Sequence, residues 1–180
     1  MGSVNMVEAS YIEGKFPELK EIKDSVLRKK VVEVWVDAMN RGGWKELDNI
    51  PFTLLIPDVK TSLAEHTSRV TKMALAIGKE RNDVNIDYLV AGGLLHDVAK
   101  LTEYDFKNGK VVKSEFGKLI RHPVSGLALA MKHELPVEVC HIIGAHSEEG
   151  EKVSRIPEAI IIHHCDFVDF EIAKYRAGMK

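Results

Sequence analysis

The stretch Gly92-Gly93-Leu94-Leu95-His96-Asp97-Val98-Ala99-Lys100 sets an adjacent imidazole and carboxylate inside an otherwise apolar run. Burying an uncompensated charge is very costly, so such a pair calls for a compensating partner, and a bound cation is the usual one. Further donors are spread along the chain: His66, His122, His146 and Asp166. Each alone reads most simply as an ordinary helix histidine or surface carboxylate. Together they offer four imidazoles and two carboxylates with no thiolate. That donor set suits Fe, Mn, Co, Ni or Zn at a catalytic site rather than a structural thiolate zinc. Cations for a substrate anion follow the same spacing logic. Lys100 lies four residues after His96 and three after Asp97, so it projects from the same side. Arg69, one turn after His66, is second; Arg121 and then Lys118 rank lower. Glu65, Glu148 and Glu149 are candidates for proton transfer. His133, His141, His163 and His164 are the remaining histidines, and His163 or His164 can approach the site from the helix that carries Asp166.

The elements that must position these groups are helical almost throughout. Apolar residues recur at three-and-four spacing from Pro17 to Met39, which predicts one helix ended by Gly42-Gly43. Asn49 to Lys60 holds two prolines and reads as a connection. Ser62-Leu63-Ala64-Glu65 has capping-box form and predicts a helix to about Arg81, with His66, Val70, Met73 and Ile77 on one face. Asp83 or Asn85 caps the next helix, which is expected to carry the His96-Asp97 doublet. Phe106 to Val111 predicts a tight turn or small hairpin. Ser114 caps a short helix to Ile120, Pro123 suits the first turn of a helix through His133, and Pro136 opens another through Ala145. Glu148 to Arg155 reads as a polar loop, and Pro157 starts a last helix through Asp166. The expected fold is all-α, a compact single-domain helical bundle.

Bulk properties narrow the classes. A chain of 180 residues is long enough for one substantial core. Its 45% hydrophobic content is ordinary, and a net charge of -2 argues against a dedicated DNA-coating protein. Cys140 and Cys165 show no paired metal or redox spacing and read as free thiols of a reducing cytosol. No apolar run reaches the length of a membrane span, and the N-terminus lacks signal-peptide blocks. Met1-Gly2 begins like a myristoylation signal, but Met6 stands where Ser or Thr is wanted. The expectation is a cytoplasmic protein without a membrane partner; the sequence sets no oligomeric state.

The order and context of the donors resemble the HD-domain superfamily of metal-dependent phosphohydrolases. The resemblance rests on Glu65-His66-Thr67-Ser68-Arg69-Val70, Leu95-His96-Asp97-Val98-Ala99-Lys100, Arg121-His122-Pro123, Gly144-Ala145-His146-Ser147 and His164-Cys165-Asp166. It covers about Ser62 to Ala173, so residues 62–180 would form the metal-binding catalytic core. Residues 1–61 would add an N-terminal helix and connection packed on it within one structural domain. By that resemblance His66, His96, Asp97 and Asp166 hold a first metal, and His122 and His146 hold a second, with Asp97 bridging. One or two divalent ions are implied, two favoured. Lys100 matches a lysine that often contacts substrate phosphate. The implied activity is hydrolysis of a phosphomonoester or phosphodiester by metal-activated hydroxide, with Lys100, Asp97 and Arg69 as the catalytic set. A nucleotide is the favoured small phosphorylated substrate and an RNA end a less favoured one. The stretch from His122 to Asp169 also looks similar to the HD domain of certain exoribonucleases, whose separate nucleic-acid-binding domain is not legible here. HD-fold di-iron oxygenases look to share the six-ligand order and give the main alternative. A non-catalytic nucleotide-binding module is the third reading, disfavoured by the full ligand set.

Overall fold

Ser62 starts the helix that anchors the site. Its Oγ accepts from the Glu65 amide at 3.2 Å, and Glu65 Oε2 accepts from the Ser62 amide at 2.8 Å. This reciprocal cap satisfies two orphan donors and launches α3 (Leu63–Lys79). In the computed structural model, which describes residues 7–179, the buried face of α3 runs His66, Thr67, Val70, Thr71 and Ala74. Ile77, expected on that face, is exposed. The Met1-Gly2 and Met6 positions lie outside the described residues.

α3 packs on α4 (Ile86–Leu95) and on α9 (Pro157–Arg176). Asn85 caps α4 by accepting from the Tyr88 amide at 3.1 Å. Every residue from Leu89 to Leu95 is buried, so α4 is the central helix, apolar on all sides. Two glycines let its neighbours close in. A Cβ on Gly92 would stand 2.6 Å from Ile142 Cγ2, and one on Gly93 would stand 2.9 Å from Thr71 Oγ1. The expectation that this helix carries the doublet is corrected in one respect. α4 ends at Leu95, and His96 to Ala99 form a turn before the short α5 (Lys100–Glu103). The turn swings Asp97 and Lys100 to one side of the chain.

α7 (His122–Lys132) and α8 (Val137–Ala145) form a packed pair, and α8 lies against α4. Between α5 and α7 lie β1 (Tyr104–Lys107), β2 (Lys110–Lys113) and α6 (Glu115–Leu119). The two strands pair antiparallel, and Asn108 and Gly109 take φ of 53° and 77°, the left-handed pair that a two-residue hairpin loop requires. Where a polar loop was expected, Glu148–Lys152 makes a short 3-10 helix.

The N-terminal part departs most from its expectation. α1 (Ala9–Lys15) precedes a 3-10 turn (Pro17–Glu21), and α2 starts only at Ser25 and runs to Gly42. Asp24 breaks the expected continuous helix by capping α2, accepting from the Val26 and Leu27 amides. Asp87 of α4 in turn accepts from the Lys23 and Asp24 amides and pins this corner to the central helix. Trp35 is fully buried, packs on Phe16 and donates its indole N–H to the Leu94 carbonyl at 3.0 Å. A second apolar cluster, with Val70, Leu89, Ile142 and Ile162 among its members, joins α3, α4, α8 and α9. Among the described residues, no helix is long and apolar enough to cross a membrane.

Candidate metal centre

Asp97 is the hub. Its Oδ2 lies 3.3 Å from His66 Nε2 and 3.5 Å from His96 Nε2. Its Oδ1 lies 3.1 Å from His122 Nε2 and 3.7 Å from His146 Nε2. Asp166 Oδ1 is 3.2 Å from His66 Nε2. The fold thus brings all six sequence candidates together as two groups that share one carboxylate: His66, His96, Asp97 and Asp166, and Asp97, His122 and His146.

Every imidazole is set by a bond at its far nitrogen. His96 Nδ1–H donates to the Gly93 carbonyl at 2.7 Å, and His146 Nδ1–H to the Ile143 carbonyl at 2.7 Å. Both bonds span three residues at a helix C-terminus, where carbonyls lack helical partners. His66 Nδ1–H donates to Asp169 Oδ2 at 2.8 Å, and His122 Nδ1–H to Glu103 Oε2 at 2.9 Å. All four Nε2 atoms therefore face inward, the arrangement in which an outer partner fixes tautomer and aim.

The protein atoms alone leave this interior unbalanced. Asp97 Oδ1 and His146 Nε2 are buried and have no hydrogen-bond partner, which costs about 1–3 kcal/mol for each such group. Burial pushes His96 down to about 4, so its Nε2 offers a lone pair. Burial also lowers His66, but bonds to Asp166, Asp169 and Asp97 outweigh that and hold it up to about 10. Its Nε2 stands 3.2 Å from His96 Nε2. The carboxylates draw positive charge to this point, as a proton on His66 or as a cation. With metal–ligand bonds of about 2.1 Å, neighbouring donors around one ion stand roughly 3 to 3.5 Å apart, close to the separations seen. The residues fit a divalent metal.

Lys100 is buried against the hub. Its Nζ donates to Asp97 Oδ2 at 2.6 Å and to the Phe52 carbonyl at 2.7 Å. Burial opposes the charge on Lys100, but Asp97 beside it outweighs that and raises its pKa. Burial likewise opposes ionisation of Asp97, and Lys100, His96 and His122 hold it well below the usual carboxylate range. A cavity of about 490 Å³ opens over these groups. Asp97, Lys100, His122 and Asp166 lie at its inner end, Lys113, Arg121 and Glu148 line it, and Leu54, Leu55, Phe167 and Phe170 give it an apolar wall.

The other sequence candidates fall elsewhere. Arg69, expected beside substrate, does not line the cavity. Its Nε donates to Asp169 Oδ1 at 2.8 Å, behind His66. One helical turn from His66 carries its side chain past the ring to the outer face of α9. Lys118 pairs with Glu115 in solvent. Glu65 is spent in the α3 cap. Arg121 lines the cavity but is shared by Glu148 and Glu149 at 3.1 Å each. His133 bonds Asp37, His141 accepts from the Ile156 amide, and His163 Nδ1–H donates to the His146 carbonyl.

Three positioning residues escaped the sequence reading. Asp169 sits one turn after Asp166, and that spacing was an available signal. Glu103 sits one turn after Lys100. Phe52, whose ring stacks on His66 at 4.5 Å between centroids, comes from the connection before α3 and carries no local signal.

A helical core that gathers His and Asp groups from helix interiors and helix ends around one shared carboxylate defines a candidate metal-site class, and comparison gives it a family. Residues 63–170 match the HD domain model, so the chain belongs to the HD-domain family. Similar proteins include a dihydroneopterin 2',3'-cyclic phosphate phosphodiesterase of Methanocaldococcus jannaschii, 30% identical over 85% of this chain and 66% of its own. A 3'-5' exoribonuclease YhaM of Listeria welshimeri is 31% identical over 62% of this chain and 39% of its own. The chain thus spans just under two-thirds of the first relative and well under half of the second. No solved structure matches it.

Proposed function

We propose that the protein is a metal-dependent phosphohydrolase that cleaves a phosphodiester or phosphomonoester of a small nucleotide-like substrate. The observation that carries this reading is Asp97, whose two carboxylate oxygens face two separate imidazole groups at the base of one cavity. In this reading His66, His96, Asp97 and Asp166 hold a first ion, and His122, His146 and the other oxygen of Asp97 hold a second. The metal is one of Fe, Mn, Co, Ni or Zn, the range that an all-nitrogen-and-oxygen donor set suits. When bound, such ions acidify water to a pKa of about 7 and polarise a phosphoryl oxygen.

The chain's own residues do the rest. Lys100 spends two of its three N–H donors on Asp97 and Phe52 and keeps the third for a phosphate oxygen in the cavity. Arg69 has no place on substrate; it steadies Asp169, which aims His66. Of the glutamates singled out in the sequence for proton transfer, Glu148 lines the cavity and is the candidate to serve the leaving oxygen. Of the segment 1–61 and the core 62–180, the described residues pack together as one structural domain, a reading supported by the Trp35 bond to Leu94. The free thiols Cys140 and Cys165 support a cytoplasmic setting. Both relatives are named for phosphodiester cleavage, which favours hydrolysis over the oxygenase chemistry that the same donors permit. An RNA end is the less favoured substrate, because the match to the relative named for RNA covers less of this chain, 62% against 85%.

The deciding experiment loads the protein with Mn under anaerobic conditions and screens nucleotides and generic phosphodiesters. Cleavage without oxygen is the expected result. Failure on all of them, together with oxygen consumption by the Fe-loaded form, overturns the proposal.

A further inference from the structure

The cavity above the metal centre has two unlike sides, and the difference points to a substrate class. On one side its cations are already neutralised. Arg121 is held by Glu148 and Glu149, and Lys113 lies 3.4 Å from Glu103 Oε1. A second phosphate there would have to compete with these carboxylates rather than meet an unpaired cation. On the other side Phe167 and Phe170 stand three apart on α9, one face of one helix. Both are braced. The His163 ring packs on Phe167 at 4.6 Å between centroids while its Nδ1–H is tied to the His146 carbonyl, and Phe52 meets Phe170 edge-on at 6.4 Å. Leu55, 71% exposed, extends the wall outward. The volume of about 490 Å³ suits one small molecule.

Resting on the hydrolase reading of the same site, we propose that Phe167, Phe170 and Leu55 form a subsite for an uncharged, flat ring. The substrate then carries one phosphoryl group, at the metal centre, on a body that ends in a heterocycle. A polyphosphate or a long nucleic acid has no matching row of free cations. A ring stacked on the Phe167 face contributes without any new hydrogen bond, and a stacked base is worth roughly 5- to 150-fold in affinity.

Calorimetry on the Mn-loaded protein tests this without turnover. The probes are a nucleoside phosphonate, whose carbon–phosphorus bond resists hydrolysis, a base-free sugar phosphonate, and a methylene-bridged nucleoside diphosphate analogue. The nucleoside phosphonate is expected to bind at least tenfold tighter than the base-free probe and no weaker than the diphosphate analogue. Phe167→Ala, and the exposed and therefore fold-safe Leu55→Ala, are expected to weaken the nucleoside probe several-fold, with the loss confined to that probe. Equal binding of the first two probes overturns the subsite, as does a diphosphate analogue binding tenfold tighter. Ring-selective binding in a protein that cleaves no phosphoester leaves the subsite standing and overturns only the hydrolase reading.

Discussion

The two halves of the candidate metal centre are built by different means. His66 and Asp166 stand within the long helices α3 and α9, and His96 sits where the central helix α4 ends. Their positions follow from the packing of three helices over one apolar cluster. His122 and His146 stand at the ends of shorter helices, the first residue of α7 and the residue after α8. His122 lies on the cavity, and Glu103 takes both its ring N–H and its backbone amide. The first half is therefore cast by the core, while the second hangs on one carboxylate and two helix ends. Such a difference predicts unequal metal affinity, tighter at His66, His96 and Asp166.

Removing the shared carboxylate abolishes the comparison and gives the largest effect. Asp97→Ala is expected to lose both ions and to drop activity by more than the roughly 100-fold typical of an outer partner. It also leaves Lys100 buried without its counter-ion, which costs about 3–5 kcal/mol. Asp97→Asn separates the two causes, since it keeps the shape and loses the charge. Elemental analysis beside thermal melting reads both, and full metal content in Asp97→Asn would end the bridging assignment. His122→Ala comes next. It is expected to keep one ion per chain and lose the other, and an unchanged content of two sinks the division into halves. The two supporting carboxylates follow. Glu103→Gln is expected to weaken one ion about 10- to 100-fold, and Asp169→Asn the other. Competition against a chelator resolves the two sites, and a single common shift in both variants would show that the halves are not separable.

Much of this architecture was legible in residue order. The capping box at Ser62, Asn85 before α4 and the Pro at the start of α7 and α9 announce helix starts through local chemistry. Helix ends were harder. The chain leaves α4 at Leu95 inside an unbroken apolar run, because the His96 ring takes the Gly93 carbonyl. Periodicity does not register that exchange. Asp24 interrupts the longer apolar pattern by capping α2, a local exchange that periodicity does not weigh. Asp97, His122 and the rest could be picked out as donors, yet their pairing depends on contacts across more than twenty residues. Arg69 shows the limit most clearly. It stands one turn after His66, but that turn carries it behind the ring to Asp169, and only packing against α9 decides the side on which it lies.

The pH response should also separate the halves. Burial opposes ionisation of Glu103, but bonds from His122 and the charge of Lys113 outweigh it and lower its pKa to about 2. A group whose pKa falls on folding stabilises the fold above its unfolded value, here 4.5, and that contribution is lost as pH falls toward 2. Melting curves of the Mn-free protein between pH 5 and 2 are expected to show a steeper loss for wild type than for Glu103→Gln. Parallel curves would remove Glu103 as the electrostatic support of the second half.

Arg69→Ala should have the smallest effect. Arg69 is about half exposed, and solvent screens its pair with Asp169. Asp169 keeps its bond to His66 Nδ1 without it. A loss of activity below about tenfold, in kcat with little change in KM, is expected of a residue that steadies a support. A large rise in KM with kcat intact would instead place Arg69 on the substrate. The cavity geometry would then have to open toward α9, on the side of the core-built half that is now closed by Phe52 stacked on His66.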